Sequence, residues 1–515
     1  MSAASTHLRQ LPADGLAVSR CIGESGPLVP EGSMNHTTSP QSAARTRAGV
    51  TLALVVGAVG IYKAIESMTS PALPILQEEL NASRAEIAWV LTGVLLTGPV
   101  VTPVIGRLGD LYDKRRVLLG VLCIVGAGTL LSALSVSMPM LIAGQLLQGV
   151  GLGTVPLAVG IMRDTQSASR LKFGNGLMVG VIFACTALAM LVAGPIADRL
   201  DYHWLFWMPF AVLVVAIVAA WVLVPSCPSN SSGRHVDLLG AALFGGSLAT
   251  LLIGFTYAPE WGWTSYRFVA LVVGSVVLFA IFVAVELRSV DPLVDVRILA
   301  SHEVIVASGL MVMAGFTINL FFVMIPMQVQ QPASTGYGFG ASGTTTSAIL
   351  VPGVLMGALA PVAGWIEARV GRRAAAAIPP ILTAASFLLM IASPGALPLV
   401  VAAMLVCGFS TGIGITQAMN IIATSVPEDR VSAFSGMNFV VKAVGSTSGV
   451  QIAASILSTD AASAHDAPAW SAFLTVFAVG VGLATAALLL VLTLRPSRDA
   501  GAGAPSPAEP VEATV

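Results

Sequence analysis

The sequence is poor in charge. Asp, Glu, Lys and Arg make up 10% of its 515 residues, against about 25% in an average soluble domain. With 56% hydrophobic residues and a mean hydropathy of +0.86, a water-soluble globule is excluded. Cysteine is scarce too. Cys21, Cys123, Cys185, Cys227 and Cys407 lack metal-ligand spacing, which argues against a zinc site or a disulfide framework. No G-x-x-x-x-G-K-[ST] loop occurs, so ATP is not the direct driver of any work done. His302-Glu303 lacks the second His of a zinc protease, and Ser410 of GFSTG lies inside an apolar run. A hydrolase nucleophile needs a strand-to-helix elbow there instead. Neither an enzyme nor a cofactor is expected, and nothing points to a nucleic-acid partner.

What the sequence has is apolar runs, most of them about 18 residues or longer and able to cross roughly 30 Å of hydrocarbon as helices. Fourteen spans are expected, among them 50–70, 86–105, 238–257, 268–287, 345–366 and 433–457. Lys and Arg orient them. With the N-terminus inside, inner segments from Arg45 onward hold eighteen basic residues, and the outer loops hold only Arg84, Arg199 and Arg267. That bias sets both termini in the cytoplasm. Residues 1–47 and 496–515 are polar, rich in Ser, Pro, Ala and Gly, and are read as disordered tails. Met34 is an alternative start within the first tail.

Charge is expensive in hydrocarbon, so the dense stretch GRLGDLYDKRR at Gly106 to Arg116 must lie in water between two spans. GWIEARVGRR at Gly364 to Arg373 echoes it. Two related halves are the usual construction of secondary transporters, with substrate bound between them. The spacing divides the chain into a six-helix bundle at 48–226, a linker with two extra spans at 227–300, and a second six-helix bundle at 301–495.

These motifs resemble those of the major facilitator superfamily. Gly106, Leu108, Asp110, Lys114 and Arg115 match its first loop, with Asp113 where a glycine is usual. The resemblance implies a charge network holding an inner gate, with Arg107, Asp110, Asp113 and Arg115 as candidates and Arg372 in the second copy. Gln145-Leu-Leu-Gln148-Gly149-Val-Gly151 is similar to the fourth-span motif, in which Gln145 stands where the family carries a coupling arginine. Gly194-Pro195 is a degraded match to the antiporter motif of the fifth span. The order of spans, the inserted pair and SPALPILQEEL together resemble the fourteen-span drug:proton antiporter family. The fold so implied is an all-α integral membrane protein with fourteen transmembrane helices.

Lys63 and Glu66 lie three residues apart, on one face of the first span. Glu66 is the expected proton-coupling group, and a static Lys63–Glu66 pair is the other reading. Lys442, inside the thirteenth span, calls for a partner across the bundle or an anionic substrate. Gln145, Gln148, Asn319, Asn420 and Asn438 are polar enough to line a cavity or to join helices. The resemblance implies export of a hydrophobic or amphiphilic small molecule by proton antiport. A composition rich in Ala, Gly and Val suggests a bacterial source and so a cytoplasmic membrane, and a monomer is expected. Its partners are the small-molecule substrate, protons and membrane lipid. A nutrient facilitator or symporter and a non-transporting membrane sensor are the alternatives.

Overall fold

The computed structural model describes residues 40–80, 84–199, 201–226, 237–289, 295–427, 430–459 and 469–494. Met34, Cys21, Cys227 and most of the two expected tails lie outside the described residues. Every regular element described is helical. Helix α1 (Pro40–Glu79) begins inside the stretch expected to be a tail. It is followed by α2 (Arg84–Leu111), α3 (Lys114–Ala133), α4 (Met138–Gly149), α5 (Thr154–Thr165), α6 (Ala168–Arg199) and α7 (Trp204–Leu223). A hairpin of α8 (Leu238–Trp261) and α9 (Tyr266–Glu286) comes next, then the single turn α10 (Val296–Leu299). The remainder is α11 (His302–Val329), α12 (Gly343–Gly357), α13 (Val362–Val370), α14 (Arg372–Ile391), α15 (Leu397–Ser425), α16 (Val431–Thr459) and α17 (Trp470–Leu492).

Eleven of the described helical stretches are long and apolar enough to cross a membrane, and the bent pair α12–α13 makes a twelfth. The sequence expectation was fourteen. The remaining two expected spans coincide with α2 and α8. In α8 the apolar stretch, Leu239–Phe255, is shorter than the others. Breaks in the long helices have local causes. The halves of the α12–α13 pair meet at 50°, with Pro361 at the start of α13. Between α4 and α5 a 3-10 turn runs over Val150–Gly153. Pro156 follows within the first turn of α5, where its missing N–H is harmless.

Helices α1 to α7 pack mainly on one another, as do α11 to α17. The two groups meet where α2 and α5 touch α16, and where α6 touches α12, α13 and α15. Helix α8 lies along α2 and α16, and α9 packs on α8. The hairpin therefore covers one seam between the groups. Most of the buried apolar residues join one cluster running through both groups. A second cluster, around Met68, Leu141 and Phe206, contains residues of the first group alone. Lys114, Arg115, Arg163, Lys172, Arg372 and Arg430 make their contacts at one end of the bundle, called here the basic end.

Candidate functional site

Two constellations stand out, one at mid-bundle and one at the basic end. In the first, Lys63 Nζ lies 2.7 Å from Glu66 Oε1. Their side chains keep 20% and 23% of their surface open although they stand within an apolar helix, so the pair faces a space and is not sealed in packing. Tyr62, buried one turn before Glu66, donates its hydroxyl to the same carboxylate. Lys442 of α16 is within electrostatic range of both Lys63 and Glu66. A carboxylate of one helix group thus sits among cations from both.

The sequence places these groups through close helix contacts. A Cβ on Gly151 would fall 2.2 Å from the Tyr62 ring. The glycine of the 3-10 turn is what lets that ring lie where its hydroxyl reaches Glu66. On the other side, a Cβ on Gly315 would meet the Lys442 carbonyl at 2.1 Å, so α11 and α16 touch at the lysine. One turn on, Asn319 donates to Ser446 Oγ at 2.9 Å and locks the same pair of helices. Asn438 accepts from Ser308 at 3.3 Å and belongs to the same interface.

Gln145 and Gln148 are buried at 0% and 1% exposure. Gln148 donates to Ser132 Oγ at 2.9 Å across α3 and α4. Among the described residues, both amide atoms of Gln145 lack a hydrogen-bond partner, which is costly for a buried amide. Gly194 and Pro195 lie within the span of α6, but their side chains are outside the described residues.

The second constellation closes the basic end. Asp110, in the last turn of α2, accepts from the Ala433 N–H at 3.0 Å. Ala433 is in the first turn of α16. Asp110 therefore caps a helix of the opposite group, where a carboxylate also meets the positive end of the helix dipole. The approach depends on Gly106, since a Cβ there would lie 2.8 Å from the Ser432 carbonyl. Burial is the largest influence on Asp110 and pushes its carboxyl up to about 7. Hydrogen bonds at Ser432 and Ala433 and the charges of Lys114 and Arg107 pull the other way.

Around this contact, Lys114 pairs with Asp164 at 2.8 Å, and Arg163 donates to the Ala423 carbonyl of α15. Asp113 serves as the N-cap of α3, accepting from Arg115 N at 3.0 Å. Arg115 reaches the Trp221 carbonyl at the end of α7, and Arg372 donates to Ser425 at 3.2 Å. These last three contacts each stay within one helix group.

The other seam carries its own lock. Lys172 of α6 lies 2.7 Å from Glu367 of α13. The second Glu367 oxygen accepts from Asn420 at 3.2 Å, and Asn420 in turn accepts from Asn175 at 3.1 Å. Two residues of the first group thereby hold two of the second. The sequence reading counted Lys172 only as an inner charge and passed over Asn175. An asparagine inside an apolar run was the available signal.

The comparisons agree with this architecture. Residues 55–449, and again 305–515, match the Major Facilitator Superfamily. The chain is 28% identical to the tetracenomycin C resistance and export protein of Streptomyces glaucescens, over 68% of this chain and 64% of that protein. It is 26% identical to the lincomycin resistance protein of Streptomyces lincolnensis, over 87% of this chain and 92% of that one. For the first of these the aligned stretch is less than two thirds of the relative's length. The crystal structure of the human organic anion transporter MFSD10 (TETRAN) superposes with a TM-score of 0.61 at 17% identity, covering 86% of this chain and 99% of that one. At that identity the likeness speaks for fold. With the family match spanning most of its length, the chain belongs to the major facilitator superfamily.

Proposed function

We propose that this chain exports a hydrophobic or amphiphilic small molecule, such as an antibiotic or natural product, in exchange for protons by alternating access. The observation that carries the reading is the open Lys63–Glu66 pair facing Lys442 across the two helix groups. A proton on Glu66 removes the charge on which Lys63 and Tyr62 converge, and so frees two side chains at the interface where rocking must occur. The relatives named as resistance and export proteins support the direction.

In this reading the basic end is cytoplasmic, as its concentration of Lys and Arg supports, and the membrane is a bacterial cytoplasmic one. Helices α2 and α8 complete fourteen crossings. The chain then divides at 48–226, 227–300 and 301–495, with both tails cytoplasmic and the protein a monomer. Asp110, Arg107, Lys172 and Glu367 form the inner gate, here closed, with Gly106 permitting its contact. Asp113, Arg115 and Arg372 brace the helix ends on either side of it.

The test is accumulation of a panel of dyes and antibiotics in cells with the wild-type chain, with Glu66→Gln, and with neither. The wild type should lower accumulation of some panel members, a protonophore should abolish the effect, and Glu66→Gln should match the empty cells. Equal accumulation in all three across the panel would sink the proposal. A nutrient facilitator or symporter is the second reading, favoured by the neutral Gln145 in place of the family's arginine. Movement of substrate in the same direction as an imposed proton gradient would select it.

A further inference from the structure

At the basic end a cleft of about 950 Å³ opens beside the Lys172–Glu367 lock. One wall is Lys172 and Phe173 of α6, and the other is Pro361 to Ala368 at the bend and along α13. The two walls therefore belong to different helix groups. Phe173 and Trp365 leave 51% and 56% of their surfaces open, an apolar lining that no partner covers among the described residues. Its rim is basic. The Arg369 guanidinium stands 3.7 Å over the Trp365 ring. Arg170, exposed, is three residues before Phe173 and on the same helical face. The acid beside the cleft, Glu367, is buried and already engaged with Lys172 and Asn420, so it does not neutralise either arginine.

Apolar walls under a cationic rim, at the end of a bundle where lipid headgroups lie, have the chemistry of one ligand. We propose that this cleft holds an anionic phospholipid, with its phosphate on Arg369 and Arg170 and its acyl chain against Trp365 and Phe173. Because its walls come from both groups, a lipid lodged there clasps the basic end shut and must shift before α6 and α13 can part. A free phosphate ion would use the rim but leave the aromatic walls bare. The inference concerns a lipid site and the closure of the gate, and holds whatever the cargo is.

The full chain would be reconstituted in phosphatidylcholine vesicles containing phosphatidylglycerol, with brominated acyl chains on one lipid or the other. Tryptophan quenching by brominated phosphatidylglycerol should exceed that by brominated phosphatidylcholine at equal mole fraction. The excess should vanish in Trp365→Phe and fall roughly five-fold for each arginine removed in Arg170→Gln and Arg369→Gln. Equal quenching by the two lipids, or an excess that persists in Trp365→Phe, would overturn the site. Reversal by millimolar inorganic phosphate would reassign it to free phosphate.

Spin labels at the exposed positions Tyr112 and Val370, on opposite groups, read the clasp separately. The closed fraction should rise with phosphatidylglycerol in the wild type and stay flat in the double arginine variant. A closed fraction indifferent to lipid in the wild type refutes the clasp. All three substitutions lie at exposed positions, so correct folding is checked by an unchanged label distance in phosphatidylcholine alone.

Discussion

At the scale of single residues, the centre of the molecule depends on a glycine that makes room and a tyrosine that fills it. Gly151→Ala places a methyl group inside the Tyr62 ring. Overpacking of this kind costs about 1–3 kcal/mol, so the melting temperature should fall and the proposed proton-coupled transport should weaken together. Tyr62→Phe removes only the hydroxyl that Glu66 accepts. It should leave the melting temperature nearly unchanged while shifting the pH dependence of transport. If Tyr62→Phe melts as low as Gly151→Ala, the tyrosine is structural and the hydrogen bond to Glu66 plays no part in coupling. Charge at the same place bears on cargo choice. Two lysines face one carboxylate, which disfavours a cation between them. Lys442→Gln should therefore raise transport of cationic dyes relative to neutral ones of the same size. An unchanged ratio would place Lys442 away from the cargo.

At the scale of helices, one element is finished by another. Asp110 of α2 caps the first turn of helix α16 across a sequence separation of 323 residues. Loss of such a cap costs about 0.5–2 kcal/mol. The carboxyl is raised to about 7 while buried at the seam, against an ordinary value of 3.8. When the seam opens and water reaches it, the group returns toward that ordinary value. The closed arrangement then binds the extra proton between about pH 4 and 7. Its contribution to closure is complete below that window and is lost as the pH rises through about 7. Distances between labels at Tyr112 and Val370 should thus lengthen on average as pH climbs across the window. Asp110→Asn keeps an acceptor for Ala433 N–H but cannot titrate, so its distance distribution should not respond. A pH response surviving in that variant would assign it to another group.

The helices themselves are legible from apolar runs, and the charged stretch after Gly106 marks a connection at the basic end. The contact of Asp110 with Ala433 is not legible, because nothing in the sequence pairs the end of α2 with the start of α16. Nor is the 3-10 turn at Val150–Gly153. The glycines there signalled close approach, but which helix approached depended on the packing of Tyr62 from α1. Helices also outran their expected spans. The last turn of α2 carries Asp110 to Leu111 beyond the apolar run, since contact with α16 keeps that turn helical where hydropathy alone ends it. The apolar stretch of α8 is short, and packing against α2 and α16 supports it.

At the scale of the whole molecule, the two locks at the basic end are related but not identical. The internal repeat predicts an acid in each copy. In the first copy Asp110 stands four residues after Gly106, and in the second Glu367 stands three after Gly364. One residue turns a helix by about 100°. Asp110 accordingly meets the end of α16, whereas Glu367 meets Lys172 and Asn420. The first lock is a cap with a titrating carboxyl, and the second is an ion pair reinforced by two asparagines.

Because Glu367 is buried and Lys172 is its ion-pair partner, removing either charge should open the basic end more than a surface pair would. Stripping one partner from a buried pair typically costs about 3–5 kcal/mol, reduced here because Lys172 remains partly in water. Lys172→Glu and Glu367→Lys should each lengthen the Tyr112–Val370 distance and impair transport. Combining them restores opposite charges with reversed polarity, and the closed distance should return in the double variant. Asn420 donates to Glu367 and would face a lysine instead, so recovery should be partial, and Asn420→Asp on that background should complete it. A double variant as open as either single one would mean that the pair merely coexists with closure, leaving the Asp110 cap to hold the halves together.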